Sequence, residues 1–214
     1  MSSDNQGNND KFRTLALLLA STMTVMAGAT LAPALPGMQL AFSDLPQSEF
    51  WVKMSMALPG LVIALCAPFV GQMLDKSRKK AILVVALFAY AATGVAGYFW
   101  PDSIWLILAS RAMLGVAVAC IMVGCTTLAG YYFKGPDLAR YMGLQAAFGG
   151  FGGVVFLALA GVLAEQNWHF VFCIYLLALV ITPFVMLFVT EPQNLRLRQQ
   201  VRRSNLQHRF RVAH

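Results

Sequence analysis

Six apolar stretches follow one another along the chain, and each is long enough to cross a bilayer: Thr14 to Ala34, Trp51 to Leu74, Ala81 to Trp100, Ser103 to Thr127, Leu138 to Leu163 and Trp168 to Val189. A helix needs about 20 such residues to span the hydrocarbon layer. In that layer every backbone N–H and C=O must be satisfied within the protein, which leaves only helices and closed barrels. Barrel strands would alternate in polarity over about ten residues, and these runs do not. Pro59, Pro68, Gly94, Gly97 and Gly152 fall inside the runs, where proline and glycine are commoner than in soluble helices. Charged residues make up 12% of the chain, against about 25% in soluble domains. The sequence therefore predicts an all-α, multi-pass membrane protein of six transmembrane helices.

Lysine and arginine set the orientation, because positively charged loops stay cytoplasmic. One set of span ends carries 14 of the 16: Lys11, Arg13, Lys76, Arg78, Lys79, Lys80, Lys134, Arg140 and six arginines beyond residue 195. The opposite set has Lys53 beside Asp44, Glu49, Asp102 and Glu165. Both termini are expected in the cytoplasm, and the net charge of +7 then reflects topology, with nucleic acid not expected as a partner. Ala27-Gly28-Ala29 resembles a signal cleavage site, but the run around it is longer than a signal h-region. Cys66, Cys120, Cys125 and Cys173 have no metal-ligand spacing and read as small packing residues, so no metal site is expected.

Shifting the chain by 90 residues places Ala57 on Ala147, Gly60 on Gly150, Gly71 on Gly161 and Asp75 on Glu165. The second span thus resembles the fifth, which crosses in the opposite direction. That is the pattern of a three-plus-three inverted repeat.

Gly71, Asp75, Lys76, Arg78, Lys79 and Lys80 stand in the loop after the second span. A glycine, three residues, an aspartate and a basic cluster there resemble the cytoplasmic signature of the major facilitator superfamily. Arg78 takes the place of that family's second glycine, which puts its tight turn in question. In the fourth span Arg111 and Gly115 resemble the superfamily's intramembrane arginine and following glycine; the alternative is an arginine snorkelling to the outer interface. The fifth span has Gly149, Gly150, Gly152 and Gly153 where the drug/proton antiporter branch often carries a glycine-proline. All four are read as helix-packing glycines, Gly149 and Gly153 forming a GxxxG pair suited to close approach, and the missing proline leaves the direction of transport open.

The resemblance implies the N-terminal six-span bundle of a family that normally has twelve spans. Residues 1–12 would be a polar cytoplasmic N-terminus, 13–191 the bundle, and 192–214 a basic tail like the start of the central loop. It implies Asp75 as a conformational latch, pairing with basic neighbours and with a helix N-terminus of the opposite half. Met23, Met26, Thr30, Met122 and Gln145 are candidates for a cavity, and Arg111, Gly115, Val118 and Met122 fall on one helical stripe. Arg111 is expected on the interior face of the six-helix bundle rather than against lipid, and in a bundle without its partner half the interior positions Arg111 and Met122 would face lipid or a second copy. No carboxylate lies in the middle of a span, so the carrier for any proton coupling is absent or lies outside these residues, and no cofactor is expected. The leading reading is a secondary transporter half, in a bacterial inner membrane, that moves a small organic or drug-like solute outward. Its partner would be a missing C-terminal half or a second copy. The alternative is a non-transporting scaffold or self-associating half. An enzyme is not expected, since HExxH, GxSxG and P-loop patterns do not occur.

The topology has a direct check. Membrane-impermeant thiol reagents should label cysteines engineered at Ser48 and Asp102 from outside, and those at Ser77 and Ser204 only after permeabilisation. Reversed labelling would overturn the orientation.

Overall fold

The computed structural model describes residues 2–191, with side chains from Asp10 to Glu191 apart from Lys76. The described residues are helical and contain no strand. Helix α1 covers Ser2–Ala29, a 3-10 turn Ala32–Ala34 follows, and α2 covers Leu35–Ala41 with Pro36 in its first turn. Then come α3 (Ser48–Lys76), α4 (Lys79–Phe99), α5 (Ile104–Tyr132) and α6 (Pro136–Gln166). A nine-residue 3-10 segment, Trp168–Leu176, runs into α7 (Leu177–Phe188). Six helices are long and apolar enough to cross a membrane: Asp10–Ala41, Ser48–Asp75, Lys79–Phe99, Ile104–Tyr132, Pro136–Gln166 and Trp168–Phe188. The first continues past Ala34 because its proline-bearing break is a short tight turn rather than a loop. The expected tail, 192–214, lies outside the described residues.

The chain turns sharply where its residues permit it. Gly135 has φ 56° and ψ −130°, a conformation open only to glycine, and Pro136 starts α6 where a missing N–H costs nothing. Ser103 accepts the N–H of Leu106 and caps α5. Arg78 has φ −75° and ψ 106°, ordinary extended backbone, so the loop after α3 turns without the glycine that the sequence lacks there. All four tryptophans, Trp51, Trp100, Trp105 and Trp168, lie at the helix ends opposite this loop, with Trp51 and Trp105 in edge contact at 4.8 Å. Such a belt marks a membrane interface.

The inverted repeat is visible in the packing. Helix α1 packs on α6, and α3 packs on α5; the third span packs on the sixth. Exchanging the two triplets of spans converts the first of these pairs into the second. The correspondence reaches single residues. A Cβ on Gly115 of α5 would meet Val62 and Pro59 of α3 at 2.8 and 2.9 Å, and Cβ atoms on Gly149 and Gly153 of α6 would meet Val25 of α1 at 3.3 and 3.2 Å. Pro59 and Gly149 are 90 residues apart, and so are Val25 and Gly115. The close approach is kept while the glycine changes helix. Gly152 meets Thr22 more tightly still, at 2.2 Å, whereas Gly150 faces open space; Gly150 is therefore not a packing glycine, contrary to expectation.

At the end bearing the basic loop, the last described residue ties the bundle together. Glu191 accepts the backbone N–H of Lys79 at 2.7 Å and of Lys80 at 3.2 Å, placing a carboxylate on the N-terminus of α4, where the helix dipole favours it. Lys79 Nζ donates to the Leu74 carbonyl at 2.6 Å and Lys80 Nζ to the Met186 carbonyl at 2.6 Å, satisfying orphan carbonyls near the ends of α3 and α7. Tyr132 donates to the carbonyl of Thr190, and Arg13 lies 4.2 Å over the Tyr132 ring. Replacing Glu191 with alanine should destabilise the first turn of α4 by about 1–2 kcal/mol. Hydrogen exchange at Lys79 and Lys80 would report it, and unchanged protection there would show the cap to be redundant.

Candidate functional site

Arg111 sits eight residues into α5, is fully buried, and faces the bundle interior. Its Nη1 donates to the Tyr175 hydroxyl at 2.9 Å and its Nη2 to the Gly94 carbonyl at 2.9 Å. The guanidinium carbon lies 4.9 Å from the Phe172 ring centroid and 4.8 Å from that of Tyr175. A 3-10 helix eclipses residues three apart, so Phe172 and Tyr175 present their rings along one edge of the Trp168–Leu176 segment. Opposite them on α4 are Gly97 and Gly94, also three apart; a Cβ on either would come within 2.4 Å of those rings. The glycines let the aromatic pair slide beneath the guanidinium. Tyr175 in turn donates to the Ala27 carbonyl at 3.1 Å and receives the Thr30 hydroxyl at 2.9 Å. Tyr90 donates to the Met23 carbonyl at 2.8 Å.

Arg111 is on the interior face of the six-helix bundle, as expected, and the expectation that an unpartnered bundle would leave it against lipid or a second copy does not hold. Arg111, Gly115 and Val118 are sealed within the bundle, and only Met122 reaches its surface. Arg111 therefore needs no second copy to shelter it. Among the described residues no carboxylate pairs with it, so its charge is balanced by neutral acceptors and ring faces alone. Met23, Met26 and Thr30 are likewise buried rather than cavity-lining.

A groove of about 460 Å³ lies between α1, α5 and α6. Helix α1 contributes Ser21, Thr24 and Val25; α5 contributes Met122 and Thr126; α6 contributes Met142, Gln145 and Ala146, with Gly149, Gly150 and Gly153 forming its floor. Met122, Thr126 and Gln145 thus come together, joined by Thr24 and Met142, which sequence reasoning had not singled out. The buried Oε1 of Gln145 has no hydrogen-bond partner. The groove holds no charged side chain, and among the described residues no group of three histidine, cysteine or acidic side chains could hold a metal.

Asp75 and Arg78 are exposed, and Gly71 has open space where a Cβ would go. Among the described residues Asp75 makes no ion pair. The acid that engages a helix N-terminus inside this bundle is Glu191 instead. The signal for it was present: α4 begins Lys79-Lys80 with no serine, threonine, asparagine or aspartate as cap, so its N–H groups need an acceptor from elsewhere.

Two inverted triplets of membrane helices beside a shallow, mostly apolar groove match a bundle of a secondary transporter. The family model described as Major Facilitator Superfamily matches residues 17–212, and the chain belongs to that family. Over 157 residues it is 28% identical to the class C tetracycline resistance protein of Escherichia coli, covering 72% of this chain and 39% of that protein. Over 158 residues it is 28% identical to the probable anion transporter 4, chloroplastic, of Arabidopsis thaliana, covering 72% of this chain and 28% of that protein. The matched segment thus spans well under half the length of either relative.

The Arg111 node predicts an order of stability. Arg111→Met has similar volume and removes a charge whose place in the membrane interior is unfavourable by about 2.5–3.5 kcal/mol on the insertion scale. Arg111→Lys keeps the charge but cannot reach Tyr175 and Gly94 together, and should lose about 1–3 kcal/mol. Thermal unfolding in detergent should therefore place the methionine variant at or above the wild type and the lysine variant below it; the reverse order would show that the guanidinium is a net stabiliser.

Proposed function

We propose that the chain is a six-span bundle of a transporter that exports a small organic, drug-like solute by alternating access against a second bundle. The observation that carries this reading is the groove between α1, α5 and α6. It lies about midway along the first span at Thr24 and Val25, combines apolar, thioether and amide groups, and offers a volume within the range of small-molecule sites. The relation to a tetracycline resistance protein supports a drug-like solute and outward movement. The second bundle would be a C-terminal half or another copy, seated on the apolar faces of α3 and α6, where Leu61, Leu65, Phe69, Phe151 and Val154 are exposed.

In this reading Asp75 and the loop through Lys80 latch onto that partner, and the exposure of Asp75 supports it. Both termini lie in the cytoplasm of a bacterial inner membrane. Any proton coupling draws on a carboxylate of the partner, since the spans of this bundle carry acids only near their ends.

Proteoliposomes containing the purified 214-residue chain, loaded with tetracycline, test the proposal. Downhill release should exceed that of protein-free liposomes, and Gly150→Leu, whose side chain enters open groove space, should suppress it without lowering the unfolding temperature. An imposed proton gradient should produce no accumulation. Gradient-driven accumulation would show one bundle to be a complete machine, and absence of release for tetracycline and for a panel of amphipathic solutes would favour the scaffold.

A further inference from the structure

The polar atoms of the α1–α5–α6 groove are committed in one direction. Ser21 Oγ donates its proton to the Leu17 carbonyl at 2.8 Å, Thr24 Oγ1 to Ser21 at 2.7 Å, and Thr126 Oγ1 to Met122 at 2.9 Å. Each hydroxyl has spent its only proton on its own helix; Ser21 is buried beside Cys125 and Tyr141, while the oxygens of Thr24 and Thr126 keep lone pairs for a ligand. Gln145 adds a buried carbonyl oxygen with no partner, and Met122 and Met142 add thioether sulfurs, which are weak acceptors. The donor left is the amide nitrogen of Gln145. No lysine, arginine or histidine reaches the groove. Arg111, the cation in the same helix, is 11 residues from Met122, about 16 Å along the axis, and both its Nη atoms are already bonded.

Resting on the reading of this groove as the transport site, we propose that it selects solutes carrying a hydrogen-bond donor on an apolar body, protonated amines foremost, and rejects anions. A carboxylate or phosphate entering the groove would bring acceptors to a wall of acceptors and find no cation to replace its hydration. An ammonium group brings donors to Gln145 Oε1 and to the threonine lone pairs, while its apolar body covers Val25, the methionines and the glycine floor. Charge-assisted bonds of this kind are the stronger sort, and the Gln145 oxygen, which no protein group engages, is free to accept one. The tetracycline-resistance relative and the anion-transporter relative are equally similar in identity; the chemistry of the groove separates the two solute classes where identity does not.

The test uses three probes that share one naphthyl body: 2-(aminomethyl)naphthalene, its N,N,N-trimethyl derivative and 2-naphthoate. Binding is measured by equilibrium dialysis against the 214-residue chain in phosphatidylcholine nanodiscs near neutral pH, with empty nanodiscs subtracted. The primary amine should bind about tenfold or more tightly than the trimethylammonium, which has the same charge and no donor, and 2-naphthoate should not bind. Gln145→Leu should remove the amine's advantage and leave trimethylammonium binding intact, which also certifies its fold, while Gln145→Glu should strengthen binding of both cations. Equal binding of the two cations, tighter binding of naphthoate, an unchanged preference in Gln145→Leu, or no binding above empty nanodiscs would each overturn the proposal. Dialysis reads occupancy without movement, so its failure would leave the transport reading standing, and a failure of transport would leave this selectivity standing.

Discussion

A buried charge without a counter-charge organises this bundle. Placing an arginine in the membrane interior is unfavourable by about 2.5–3.5 kcal/mol on the insertion scale, and Arg111 has no carboxylate within reach among the described residues. The surrounding structure compensates with geometry. Gly94 and Gly97 have no side chains, so the sixth span can press its Phe172 and Tyr175 rings against α4, and the 3-10 winding of Trp168–Leu176 lines those rings up beneath the guanidinium. Tyr175 then passes the constraint to α1 through Ala27 and Thr30. Three spans meet at one guanidinium and Tyr175 ties in the first, and a shift of any one would strand a polar group in a dry interior.

The architecture was legible because hydrocarbon is a demanding solvent. Six apolar runs, lysines and arginines gathered at alternate ends, and a 90-residue correspondence fix an inverted pair of triplets before any packing is known. Arg111 stood out for the same reason: a charge eight residues inside a span needs an explanation. What the sequence concealed was facing. Met23, Met26 and Thr30 are indistinguishable in type from Met122 and Thr126, yet the first three point into the core and the last two border the groove, because side-chain polarity does not say which face of a mostly apolar helix meets its neighbour. Glu191 was hidden differently, since an acid at a span end reads as solvated until the uncapped start of α4 is set beside it.

The repeat carries a further lesson in how a packing contact is conserved in form while its residues change. On one side of the pseudo-symmetry Gly115 receives Pro59 and Val62; on the other, Val25 sits against Gly149 and Gly153. Helix axes approach closely when one partner is small, and it does not matter which. The asymmetry has a local effect, however. Because α6 carries the glycines, its floor is shallow beside α1 and α5, and the groove opens there.

Glu191 also orders events in time. The N-terminus of α4 receives its carboxylate from a residue 112 positions later, so during synthesis the third span enters the membrane with its first N–H groups uncapped. At about 5–20 residues per second, that interval lasts on the order of 6–20 s. Throughout it the first turn of α4 lacks its carboxylate, and of the bonds made by Lys79 Nζ, Lys80 Nζ and Glu191 only that of Lys79 Nζ to the Leu74 carbonyl can form without the sixth span. Arrival of the sixth span closes the bundle and locks a boundary laid down three spans before, which makes its last residues a checkpoint on assembly.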